Sequence, residues 1–153
     1  MREKADLLAR TRREGTSVTE SLTRTRTLVL DSEGLSKYVS RDRETVAWLA
    51  AAFARDVRVV TSTATLPEVV HPRINVPALR WAPSRMVVEP VTEEIALAAT
   101  ALLREAGLHG HKYAIDAMLA ATALAAPGPV TVLTSDPEDL TALCGSRLAA
   151  VKV

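Results

Sequence analysis

Short apolar runs alternate with stretches of helical period along most of the chain. Thr27-Leu28-Val29-Leu30 is the first such run, short and unbroken, as in a parallel strand covered on both faces. A helix follows from about Glu33. Asp42 is placed to cap the next helix, in which Val46, Leu49, Ala50 and Phe53 recur at i, i+3, i+4 and i+7. Trp48 breaks that face by one position, which suits either a half-buried ring or one that lines a groove for a partner segment. Val57–Val60 reads as the second strand. Ser62–Val70 reads as a short helix with Pro67 in its first turn, closed by His71-Pro72. A further helix is predicted over Pro77–Ser84, then Met86–Val88 as the third and weakest strand.

Thr92 opens a helix whose apolar face is Ile95, Ala98, Ala99, Leu102, Leu103 and Ala106, and Gly107 stops it. His109-Gly110-His111 reads as a loop. An alanine-rich helix over Tyr113–Ala126 follows, with Ala117, Ala120, Ala121 and Leu124 on one face. Val130–Leu133 is the fourth strand, Asp136-Pro137 opens a short helix, and Ala149–Val153 is the last strand. Strand–helix alternation of this kind predicts an α/β fold around a central parallel sheet. Such sheets bind ligands beyond the carboxyl ends of their strands.

Composition narrows the class. The chain has 153 residues, 48% of them apolar, which suits one domain with one sizeable core. With 24% charged residues and a net charge of +1, neither a disordered chain nor a protein that coats DNA or membranes by bulk charge fits. A lone cysteine, Cys144, excludes an intramolecular disulfide and a cysteine-cluster zinc site, and predicts a small buried side chain. A reducing, cytoplasmic setting follows. No apolar run approaches the roughly 20 residues that span a bilayer, and Met1-Arg2-Glu3-Lys4 opens no secretory signal. Residues 1–26 are rich in Thr, Ser and Arg and predict a basic, mobile extension. Residues 27–153 predict the domain.

Four carboxylates fall at or near the carboxyl ends of the predicted strands. Asp31 directly follows the first strand, Asp136 follows the fourth by two residues, Asp116 lies in the first turn of the helix feeding the fourth, and Glu68 lies in the helix after the second. Singly, each has an ordinary role: Asp31 and Asp136 as helix caps, Asp116 near a helix N-terminus, Glu68 as a solvated helix residue. Together they do not. Two carboxylates about 4 Å apart repel by roughly 4 kcal/mol at an effective dielectric near 20. A shared proton or a divalent cation resolves that repulsion. All-oxygen ligands favour magnesium or manganese over zinc. A cation held there suits phosphodiester hydrolysis.

The segments Val29-Leu30-Asp31-Ser32, Thr61-Ser62 with Leu66-Pro67-Glu68-Val69, Ile115-Asp116-Ala117 with Ala120-Ala121-Thr122-Ala123, and Leu133-Thr134-Ser135-Asp136 together resemble a PIN domain. More narrowly, they resemble the VapC-type ribonuclease toxins of toxin–antitoxin pairs. The resemblance covers about residues 27–153. It implies a single PIN-like domain with a five-stranded parallel sheet in the order 3-2-1-4-5. It also implies an endoribonuclease dependent on Mg²⁺ or Mn²⁺, a homodimer, and a cognate antitoxin. By motif match, Asp31, Glu68, Asp116 and Asp136 are the catalytic quartet, with Asp31, Asp116 and Asp136 on the metal. Thr134 and Ser32 support them. Many members carry serine where Glu33 stands here, which offers either a fifth carboxylate or a solvated side chain.

Arg73, Arg80, Arg85 and Lys112 are expected to flank the mouth, where RNA phosphates would meet them. An ordinary solvated surface is the competing reading. His109 and His111 lack a third ligand and suit zinc poorly. Trp81 offers core cover, a partner groove or a base-stacking face. No Walker A loop, G-x-G-x-x-G, H-E-x-x-H or G-x-S-x-G occurs. Two alternatives stand beside the toxin: an RNA-processing nuclease of the same domain type, and an inactive module that binds RNA or protein.

Overall fold

The computed structural model describes residues 18–153. Residues 18–23 are helical and are called α1. Then come β1 (Thr27–Leu30), α2 (Ser32–Val39), α3 (Arg43–Ala54), β2 (Arg58–Ser62), α4 (Thr65–Glu68) and α5 (Val76–Ser84). β3 (Val87–Glu89), α6 (Glu93–Ala106), α7 (Gly110–Ala125), β4 (Val130–Thr134), α8 (Pro137–Cys144) and β5 (Ala149–Lys152) complete the chain. The five strands form one parallel sheet in the order β3-β2-β1-β4-β5, as expected.

Strand period sorts the core into two layers. Leu28 and Leu30 of β1 face Leu35, Tyr38, Trp48, Leu49 and Ala52 of α2 and α3. Val29, between them, faces the other side, with Val60, Val132 and the alanines of α7. β1 is buried along its full length, so both faces of the sheet are covered. The small side chains Ala117, Ala120, Ala121 and Ala123 let α7 lie close against the sheet. Among the described residues no helix is long and apolar enough to cross a membrane.

Helix starts follow local chemistry. Asp31, Asp42, Asn75, Thr92 and Asp136 each accept a backbone N–H with the side chain at the first turn of the following helix. Gly107 ends α6 in the left-handed conformation, φ 65°, which glycine adopts without a Cβ clash.

Three expectations are corrected. α7 begins at Gly110, ahead of the predicted Tyr113, so Asp116 lies in its second turn and not its first. Trp48 is buried in the core at 4% exposure, while Val46 faces outward at 38%. The buried face of α3 is Thr45, Trp48, Leu49 and Ala52, one step round from the predicted stripe. The last part of the expected extension also belongs to the body. Leu22 is 2% exposed within the core, and Val18 packs against the same cluster. Arg26 N donates to Pro129 O at 2.8 Å, and the Thr25 and Thr131 hydroxyls meet at 2.8 Å. Residues 1–17, the rest of that extension, lie outside the described residues.

Leu22→Ala accordingly destabilises the protein by about 2–5 kcal/mol, the usual range for a buried leucine. Urea unfolding measures it. A dispensable extension would give no change.

Candidate active site

The carboxyl edge of the sheet is assembled by backbone pairing before any side chain is considered. β1 and β4 are neighbours, with Leu30 opposite Leu133, and Asp31 N donates to Leu133 O at 3.2 Å. The chain ends of both strands therefore open at the same place. Asp31 N-caps α2, its Oδ1 accepting from Gly34 N at 2.7 Å. Asp136 N-caps α8, with Oδ1 accepting from Asp139 N at 3.4 Å.

Thr134 links the two. Its buried hydroxyl accepts from Asp136 N at 3.0 Å and lies near enough to the Asp31 carboxylate to favour its charged form. Ser32 performs a similar task across the edge. Its Oγ donates to Glu68 Oε2 at 2.8 Å, tying the start of α2 to the end of α4. α4 is itself pinned to the sheet. Thr61 Oγ1 donates to Leu30 O at 2.8 Å and meets Thr65 Oγ1 at 2.8 Å, and Thr65 Oγ1 donates to Ser62 O at 2.7 Å.

Gly34 is required by close approach. A Cβ there would stand 2.9 Å from the Leu133 carbonyl oxygen and 3.4 Å from Asp31 Oδ1. The nearer atom is backbone and cannot swing aside. Gly34→Ala is expected to cost about 1–3 kcal/mol of stability through overpacking. It also displaces Asp31, so any activity that depends on this carboxylate falls further than stability alone explains. Thermal unfolding and activity measured side by side check this.

The electrostatics fit a crowded anionic mouth. Asp116 is pushed up to about 6, first by burial, then by the charges of Glu68, Asp139, Asp31 and Asp136. Asp31 is also raised, chiefly by burial, against the lowering effect of its bonds from Thr134 and Gly34; Glu33 adds to the rise. Those couplings bring the four expected carboxylates into one electrostatic cluster. Glu33 itself is exposed and acts on Asp31 through its charge.

Asp139 joins them and was not singled out from the sequence. Burial and then its contact with Asp136 raise it. The signal was present in Asp136-Pro137-Glu138-Asp139, because residues three apart at a helix start share a face.

The cationic side chains divide. Lys112, in the first turn of α7, lies with its Nζ 5.0 Å from the Tyr113 ring centroid. It is held protonated first by Tyr113, then by Asp139 and Asp136, which puts it beside the acidic mouth. Arg73 lies in the segment leaving α4, and Arg80 on the exposed side of α5. Arg85 departs from expectation. It lies two residues ahead of β3, at the opposite, amino edge of the sheet, with its guanidinium 5.4 Å from the Phe53 ring and 5.9 Å from that of Trp81.

The donor set fits a hard divalent cation. All candidate donors are oxygens, and the repulsion that adds to burial in raising Asp116 is what a cation would relieve. Among the described residues no three Asp, Glu, His or Cys side chains close on one point as a ready cage. Magnesium needs none, since it retains several waters and binds through one or two carboxylates.

Comparison with known proteins places the fold. A family model described as PIN domain matches residues 28–143. A chain in the crystal structure of VapBC2 from Rickettsia felis bound to a DNA fragment from their promoter is similar, with a TM-score of 0.64 at 16% sequence identity. The match covers 83% of this chain and 98% of that one. No curated protein matches the sequence.

Proposed function

The chain belongs to the PIN domain family, and from that premise we propose that it is a metal-dependent endoribonuclease, the toxin of a VapBC-type pair. Five carboxylates share one edge of the sheet, and burial together with the charge of four of them lifts the fifth, Asp116, to about 6. That observation carries the reading. Such a cluster serves no packing purpose and repels itself at neutral pH. Asp31, Asp116 and Asp136 would hold a Mg²⁺ or Mn²⁺ ion, which would supply water activation and charge neutralisation for phosphodiester hydrolysis.

The protein's own groups do the rest. Asp31 and Asp116, the two most buried of the quartet, supply the direct ligands. Asp136 ligates beside them or orients a water. Glu68, steadied by Ser32, positions the attacking water from the other side. Thr134 fixes the Asp31 carboxylate and the turn into α8 together, so the spacing of Asp31 and Asp136 does not drift. Lys112 meets the phosphate that flanks the scissile one, and Arg73 meets a neighbouring one. A cognate antitoxin holds the enzyme in check in the cytoplasm, and the working form is a homodimer. The similar Rickettsia structure, a toxin–antitoxin assembly, supports the antitoxin partner.

An RNA-binding module without catalysis is the second reading. The observation in its favour is that no three ligand side chains converge as a ready cage. Purified protein incubated with total RNA and tRNA, with Mn²⁺ or Mg²⁺ and with EDTA as control, separates the two. Discrete fragments that vanish in EDTA are expected. Binding without fragments would favour the module.

A further inference from the structure

In a parallel sheet every strand enters from the same edge, so residues just ahead of the strands share a surface whatever their distance in sequence. Here that surface is basic. Arg24 and Arg26 precede β1, Arg55 and Arg58 lead into β2, Arg85 precedes β3, and Arg147 precedes β5. All six are exposed. Asp56 is the one carboxylate in the same lead-in positions. At the other edge stand Asp31, Glu33, Glu68, Asp116, Asp136 and Asp139. A chain of net charge +1 is thus divided into a basic edge and an acidic one, a strand length apart, roughly 13–17 Å.

The strand order makes a row of the arginines. Arg85 and Arg26 lie just ahead of β3 and β1, the two neighbours of β2, and Arg55 closes α3 three residues ahead of β2, so all three stand at the same edge of the sheet. Arg58 is engaged, its Nη2 standing 2.6 Å from Glu89 Oε1. Among the described residues Arg26, Arg55 and Arg85 have no such partner. At the end of the row Arg85 is held over the rings of Phe53 and Trp81. Trp81 is 51% exposed, a large apolar face left in water beside a fixed guanidinium. Planar guanidinium forks bind phosphates in pairs of hydrogen bonds, and an open indole stacks on an unpaired base. An acidic protein surface would use the arginines and leave the ring unexplained.

We propose that the amino edge of the sheet, built on Arg26, Arg55 and Arg85 with the Trp81 ring beside them, is a second RNA contact that holds the phosphates and an unpaired base of the RNA at a distance from the carboxylates. That this RNA is also the substrate rests on the nuclease reading above; the binding surface itself does not.

The test is equilibrium binding of a labelled 30-nucleotide polyuridylate to the full chain in EDTA, over a range of salt concentrations. Arg26→Gln, Arg55→Gln and Arg85→Gln are each expected to lower the log–log salt slope by about one. Trp81→Ala is expected to weaken binding roughly tenfold with little change of slope. Arg104→Gln, an exposed arginine outside the row, serves as the matched control. Unchanged affinity and slope in all the row variants would overturn the proposal. So would displacement of the RNA by polyglutamate at equal charge concentration, which would assign the edge to an acidic protein.

Failure here is separable from failure of the nuclease reading. Wild-type cleavage with Mn²⁺, together with unaltered binding in the row variants, removes only the second contact. Arginine-dependent binding without cleavage in any metal keeps the surface and removes the nuclease.

Discussion

The proposed RNA cleavage is expected to slow by a factor of roughly 10³ or more in Asp116→Asn, the scale on which a group that acts directly on the reacting centre is lost. Single-turnover cleavage at saturating enzyme measures it. Asparagine keeps the size and one oxygen of the side chain but not the charge, and Asp116 is the carboxylate that burial and then its acidic neighbours push up to about 6. The substitution leaves the packing of α7 unaltered, because that helix is held by Ala117, Leu119, Ala120 and Ala121. Full activity in Asp116→Asn would refute the assignment of the site.

The second large effect is on stability, and it has opposite signs with and without cation. Asp116 titrates near 6 in the folded protein, against an ordinary value of 3.8. Its protonated form is therefore favoured by folding. The stabilisation is fully present below about pH 4 and is lost as pH rises through about 6. Asp31 and Asp139 are raised as well and act with the same sign.

Metal-free Asp116→Asn is then more stable than wild type at pH 7.5, by roughly 1–2 kcal/mol once the group's partial solvent access is allowed for. That corresponds to about 2–8 °C in Tm for a chain of this size. At about pH 3.5 the two proteins converge, since Asp116 is then largely neutral in the unfolded chain as well as in the folded one. Added Mn²⁺ reverses the ranking at pH 7.5. A ligand at a hundredfold excess over its Kd stabilises by about 2.7 kcal/mol, and only wild type keeps the full site. Scanning calorimetry at the two pH values, with and without cation, reads all of this. Wild type more stable than the variant in the absence of cation at pH 7.5 would contradict it.

Much of the fold was legible because its local signals agree. Thr27–Leu30 was readable as a strand from its unbroken apolar run, and Asp42, Thr92 and Asp136 were readable as caps from their positions ahead of periodic segments. The start of α7 was not. His109 makes no side-chain cap and Gly110 is a poor helix former, so tertiary packing carries the helix three residues further. Gly110 lies against α6, where an added Cβ would meet Leu103 Cδ1 at 3.7 Å. The burial of Trp48 is not legible in the sequence, because Val46 and Phe53 satisfy a helical stripe equally well. Only the packing of α3 under the sheet rotates that stripe to bury the indole.

The candidate site shows the same division. Asp31 and Asp136 could be placed from strand ends alone, and β1–β4 pairing brings those ends side by side. Asp139 does not stand out in the sequence, because Asp136-Pro137 alone accounts for the helix start. Arg85 was placed at the wrong edge by its closeness in sequence to Arg73 and Arg80. Its position just ahead of a parallel strand carried the correct information, which becomes readable once strand direction is taken into account.

Titration of Mn²⁺ into the metal-free protein by calorimetry, repeated for Asp31→Asn and Asp116→Asn, tests the central claim most directly. The account predicts saturable binding by wild type, weaker as pH falls through about 6 where a proton competes at Asp116, and loss of that binding in both variants. Wild-type protein that takes up no divalent cation, or variants that bind it as wild type does, would contradict the account.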